Sequence, residues 1–241
     1  MAGTAQGERQ IEALGERLAA ARARIGAAAE RAGRDPAGVR IIAVTKTFAA
    51  ERAAAVVALG VRDLGENRVQ EAAAKMPAVP GGVRWHLIGH LQTNKASRAA
   101  GLFDVVQSVD SERVAEALGS RRPEEADALE VLVEVELTGI AGHTGLAPAR
   151  LAEVAAAVAA MPRLRLRGLM TMAPLLDDPA ATRPTFARLR TLRDELQQRL
   201  GCELPELSMG MSNDFEVAVE EGATMVRLGR VLFGERPPRA G

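Results

Sequence analysis

Within the first thirty residues the apolar positions Ile11, Leu14, Leu18, Ala21 and Ile25 recur at alternating spacings of three and four, with charged residues between them. This spacing predicts an amphipathic helix whose stripe requires a partner surface. From Arg40 onward, short apolar runs alternate with helix-periodic stretches. Strands are predicted near 40–46, 62–66, 83–89, 105–109, 129–137, 164–172, 206–210 and 225–229. Among the helical stretches, 147–161 places Leu151, Val154, Val158 and Met161 on one face. Another, 183–200, does the same with Phe186, Leu189, Leu192, Leu196 and Leu200, and Gly201 follows as a C-terminal cap.

Strict alternation of strand and helix implies right-handed crossovers and a parallel sheet, hence an α/β fold. Eight such units in about 200 residues suit a closed (β/α)8 TIM-type barrel with an extra N-terminal helix. An open doubly wound sheet is the alternative that the same pattern allows. PAVPGG and RRPEEAD read as ordinary loops, so a single domain over 1–241 is expected, with 1–35 a helix packing on the barrel and 40–236 the barrel itself.

Basic and acidic residues are equal in number, 31 each, which leaves no electrostatic footprint for nucleic acid or an anionic membrane. A single cysteine, Cys202, excludes an internal disulfide and a thiolate metal cluster. The opening MAGTAQGERQ lacks the apolar core of a secretory signal, and no apolar stretch reaches the length of a membrane span. A cytoplasmic, monomeric protein is expected. Tyrosine is absent from the chain, a point that bears on mechanism.

Lysine is nearly absent too, with three copies against twenty-eight arginines, and Lys46 stands at the end of the first predicted strand. Arginine cannot be deprotonated in a protein, whereas a partly desolvated lysine amine can attack an aldehyde or ketone. Further polar residues fall at successive strand ends: Glu66 and Asn67, His86 and His90, Ser108 and Asp110. In ELSMGMSND, Ser208, Gly210 and Ser212 mark a strand-to-helix turn, and MVRLGR puts Arg227 and Gly229 at the end of the last strand. Loops after strands seven and eight commonly hold phosphate in barrels of this kind. An amine and a phosphate cradle suit a small phosphorylated carbonyl compound. Pyridoxal 5′-phosphate (PLP) meets that description, as does a sugar phosphate handled by a class I aldolase.

The segments IIAVTK, LGENRVQE, WHLIGHLQTNK, GLMTMAP, LSMGMSND and MVRLGRVLFGER, in this order, resemble the pyridoxal phosphate homeostasis protein family. The likeness runs from about Arg40 to Arg236, and the family is itself similar to the barrel of alanine racemase and of eukaryotic-type ornithine decarboxylases. The resemblance implies that Lys46 forms the internal aldimine with PLP and that Ser208, Ser212 and Gly229 hold its phosphate. It further implies that Asn67 and His86 line the pocket and that Arg227 faces the pyridine nitrogen. An arginine there leaves that nitrogen unprotonated and weakens the ring as an electron sink.

One loop departs from the family pattern. LTGIAGHTGL has Ile140 and His143 where an acidic residue and a lysine are usual, and Glu136 replaces the usual asparagine, whereas Gly145 is kept. The related racemases take a second acid–base group from a tyrosine of an additional β domain. No tyrosine is present, and only about a dozen residues follow the eighth strand, so that domain is expected to be missing. The expectation is therefore a carrier that buffers PLP or delivers it to PLP-dependent apoenzymes, with no catalysis and no metal. The alternatives are a weak PLP enzyme that uses His86 or His90 to carry protons, and the aldolase.

Overall fold

The computed structural model describes residues 2–140 and 142–235. Met1, Ala141 and residues 236–241 lie outside the described residues, and Arg236, at the end of the family resemblance, is among them. Eight parallel strands close into a barrel in sequence order: β1 (Arg40–Val44), β2 (Asp63–Glu66), β3 (Arg84–Leu87), β4 (Val105–Val109), β5 (Leu129–Glu134), β6 (Leu164–Met170), β7 (Glu206–Met211) and β8 (Met225–Leu228). Pairing of Ile42 with Arg227 and of Ala43 with Leu228 joins first strand to last. Closure excludes the open sheet. Each strand lies within its predicted segment or within one residue of it, because eight short apolar runs separated by helix-periodic stretches leave little freedom in placing them.

The helices are α1 (Ala2–Arg31), α2 (Ala50–Ala58), α3 (Val69–Lys75), α4 (Ala96–Leu102), α5 (Glu112–Gly119), α6 (Leu151–Ala159), α7 (Arg183–Leu200), α8 (Phe215–Glu220) and α9 (Arg230–Phe233). In α7, Phe186, Leu189, Leu192 and Leu196 are buried, and Gly201 caps the helix in the left-handed conformation at φ 64°. The apolar residues of strands and helices form one continuous shell between sheet and helices, while Val105, Leu132 and Met170 form a separate small cluster. At the amino ends of the strands, ion pairs join Arg40 to Glu206 and Asp63, and Arg84 and Arg167 to Glu130.

The α1 stripe finds its surface on α8 and α9. Leu14, Leu18, Ala21 and Ile25 are buried there. Arg24 donates to Glu216 and stacks 4.5 Å from the Phe215 ring, and Arg31 pairs with Glu220. Ile11, the first residue of the stripe, is 45% exposed, so the covered face begins one turn later than its periodicity predicts. No helix among the described residues is long and apolar enough to cross a membrane.

Candidate cofactor site

At the carboxyl ends of the strands lies a cleft of about 230 Å³. Lys46 reaches it from the end of β1, Asn67 from β2, Ser212 from the turn after β7, and Arg227 and Gly229 from β8. Val44, Ile88 and Met172 supply apolar walls. Five of the seven residues expected to bind the cofactor are thus brought together. Asn67 is placed by Gly89, where a Cβ would stand 2.5 Å from the Asn67 carbonyl oxygen, so only glycine lets the two loops approach this closely. The Ser212 hydroxyl accepts from the Val231 amide at 3.2 Å, tying the β7 turn to α9.

His86 and Ser208 do not line the cleft. Both are fully buried within the barrel, in a chain of hydrogen bonds that crosses its interior. Arg227 Nη1 donates to Ser208 Oγ at 2.7 Å, and Ser208 donates to Gln107 Oε1 at 2.6 Å. Gln107 Nε2 lies 2.9 Å from His86 Nδ1, and His86 Nε2 lies 2.8 Å from Asp63 Oδ1. With Gln107 as donor, Nδ1 is the acceptor and Nε2–H donates to the carboxylate, so a neutral imidazole satisfies every group. Burial lowers the His86 pKa against the opposing pull of Asp63, in keeping with that tautomer. Burial raises the Asp63 pKa, but its bond to His86 and the nearby arginines outweigh this and hold it low. Ser208 and His86, expected at the phosphate and at the cofactor, stand in this structure within the hydrogen-bond chain that leads to Arg227. Strand alternation shows that they point inward, but not how deep they lie.

Arg227 is itself buried, and Nη2 also donates to the Thr171 carbonyl at 2.8 Å. Desolvation lowers its pKa to about 10 against the nearby charges of Glu134 and Asp214, so the guanidinium stays charged at neutral pH. Burial in turn raises the pKa of both carboxyls. Gln107, Asp63, Glu134 and Asp214 were not read as site residues from the sequence. The available signal was a polar residue inside an otherwise apolar strand, as in VVQSV and VLVEVE.

A second network fixes the strand end that carries Lys46. Lys75, 6% exposed, donates to the Thr45 carbonyl at 2.8 Å and to Glu66 Oε1 at 2.5 Å, and Thr45 Oγ1 donates to the same oxygen at 2.6 Å. Lys75 is thus committed to structure, and a compact ammonium suits this set of acceptors where a guanidinium would not fit. In the departing loop, Glu136 accepts from the amides of Thr138 and Gly139, and His143 Nδ1 lies 3.1 Å from Thr138 Oγ1. His90 pairs with Asp110 at 3.2 Å.

The site's residues fit a phosphorylated pyridine aldehyde. The Asn67 amide oxygen is buried, borders the cleft and has no hydrogen-bond partner among the described residues. Lys46 supplies an amine, Arg227 a fixed cation, and the β7 and β8 turns offer Ser212 and Gly229.

Residues 17–237 match the family described as alanine racemase, N-terminal domain. The pyridoxal phosphate homeostasis protein of Aquifex aeolicus is 41% identical over 222 residues, 92% of this chain and 97% of its own. The chain belongs to the pyridoxal phosphate homeostasis protein family. Its counterpart in Pseudomonas aeruginosa is 43% identical over 227 residues, 94% of this chain and 97% of that one. Among solved structures, PipY of Synechococcus elongatus with PLP bound superposes with a TM-score of 0.80 at 40% identity, covering 92% of this chain and 100% of that chain. Outside the family, alanine racemase of Corynebacterium glutamicum shares the fold, with a TM-score of 0.70 at 21% identity, over 96% of this chain and 63% of the racemase.

Proposed function

We propose that the chain holds PLP in this cleft with Lys46 as its covalent anchor, and that it buffers the cofactor or delivers it to PLP-dependent apoenzymes. The observation that carries the reading is the pairing of a lysine on β1 with a buried, positively charged arginine on β8 across one small cleft. PLP supplies an aldehyde for the amine and a ring whose nitrogen accepts a hydrogen bond. Arg227 donates to that nitrogen, and the relay behind it fixes the guanidinium plane. Asn67 meets a polar substituent of the ring, and Ser212 with the backbone at Gly229 holds the phosphate. His86 and Ser208 act only through Arg227.

Holding without turnover is the reading that two features of the site support. A guanidinium keeps its proton, so the ring is a poor acceptor of the electrons that a reaction at an amino acid α-carbon would release. His86 has both ring nitrogens engaged inside the barrel, and His90 is not among the residues lining the cleft. His86 is thus not placed to carry a proton to a bound substrate. An aldolase would leave Arg227 without a task.

Loading the protein with PLP is expected to give a visible absorption band that borohydride bleaches, with the reduced adduct on the Lys46 peptide and the band abolished by Lys46→Ala. Adducts spread over Lys75 and Lys95 instead would overturn the anchor assignment. Stereospecific α-deuterium exchange of amino acids at a useful rate would overturn the carrier reading.

A further inference from the structure

A second and larger cleft, of about 850 Å³, opens on the outer side of the β1–α2 loop, between α1 and the end of α9. Arg9 and Arg17 of α1 and Arg52 of α2 line it, against a single carboxylate among its lining residues, Glu235. Further along α1, Arg24 and Arg31 are paired with glutamates, whereas among the described residues Arg9 and Arg17 form no ion pair. The apolar wall is aromatic. Phe48 and Phe233 stand with ring centroids 4.9 Å apart, and the Arg52 guanidinium lies 6.0 Å from each. In a chain with only 2% aromatic residues, the half-buried Phe48, packed on the buried Phe233, stands beside three arginines, a surface suited to an anion with an apolar body. Arginine forks match phosphate oxygens, and the accessible part of Phe48 offers apolar contact to the body.

This cleft adjoins the cofactor site through one peptide. Thr47 lines the outer cleft and Lys46 the inner one. Among the described residues Thr47 is the only non-glycine at positive φ, 69°, a conformation that persists only when surrounding contacts impose it. Its amide donates to Glu71, which also faces Lys75 at 3.4 Å, and Lys75 holds the Thr45 carbonyl. A ligand on the outer side of the loop bears on the same residues that fix the anchor.

We propose that the outer cleft is a second ligand site, for a phosphate monoester with an apolar body, and that its occupancy changes the rate at which cofactor leaves Lys46. The coupling rests on the reading of Lys46 as the anchor; the site itself does not.

Phenyl phosphate is the probe. In protein loaded with PLP and reduced with borohydride the inner cleft is filled, and calorimetric titration is expected to show one phenyl phosphate per chain, bound more tightly than inorganic phosphate. Replacing both Arg9 and Arg17 with alanine should weaken it by at least about tenfold. Both positions are exposed on a helix that alanine favours, so the variant retains its fold. In loaded, unreduced protein, phenyl phosphate should change the rate of cofactor loss on dilution by at least about threefold, with no change in the double variant. Absence of binding to the reduced protein, or equal binding by the double variant, overturns the site, and an unchanged rate of loss overturns the coupling. If no reducible adduct forms at Lys46, the anchor reading has failed, and titration of the untreated protein against the double variant still decides the outer site.

Discussion

Two serines separated by four positions illustrate what a residue's place in the sequence reveals. Ser208 and Ser212 read alike as hydroxyls near a strand-to-helix turn, yet one bridges Arg227 and Gln107 inside the barrel and the other borders the cleft. Ser208→Ala leaves a buried donor and a buried acceptor unpaired and is expected to cost about 1–3 kcal/mol in urea denaturation. Ser212→Ala, which loses only the part-buried bond from the Val231 amide, should cost less stability than Ser208→Ala and weaken PLP binding in a spectroscopic titration. The reverse pattern would restore Ser208 to the phosphate. His86 makes a separate prediction. Its folded pKa lies below the ordinary value of about 6.5, so the unfolded chain binds the extra proton first. Stability is then full above that value and is lost as pH falls below it, with a slope of up to about 1.4 kcal/mol per pH unit. The raised pKa values of Glu66, Glu134 and Asp214 act in the opposite sense, since stability associated with their neutral forms declines as pH rises. Comparing His86→Gln with the parent in denaturant titrations between pH 5 and 7 isolates the histidine, and the variant's stability should gain less, or lose more, than the parent's as pH rises across that range.

At the scale of elements, periodicity was most informative where burial is one-sided. The face of α7 and its glycine cap follow from spacing alone, because a long helix on a barrel must bury one stripe and then turn. The start of the α1 stripe was less legible, since spacing cannot show where the partner surface stops, and α8 and α9 do not cover Ile11. Loop proximity was not legible at all. Gly89 shows no special backbone angle, and its importance lies in the approach of the loop after β3 to Asn67. Gly89→Ala is expected to push these loops apart and weaken PLP binding, while Gly201→Ala, far from the cleft, should cost about 1 kcal/mol of stability with binding intact. Parallel binding and denaturation measurements on the two variants check both.

Over the whole molecule, eight strand signals in order pointed to a parallel barrel but left an open sheet possible, and the pairing of β1 with β8 decides between them. The relay behind Arg227 could not be read in the same manner. Its members come from β2, β3, β4, β7 and β8, and no local pattern marks residues that meet only when the barrel shuts. Closure also joins parts of the chain made far apart in time, for Arg24 meets Glu216 across 192 positions and β1 pairs with β8. At roughly 5–20 residues per second of synthesis, the α1 stripe emerges from the ribosome about 10–40 s before its partner helices exist. For that interval Leu14, Leu18 and Ile25 are exposed on a nascent chain, so the same helix that seals the finished barrel is a natural landing place for chaperones during translation.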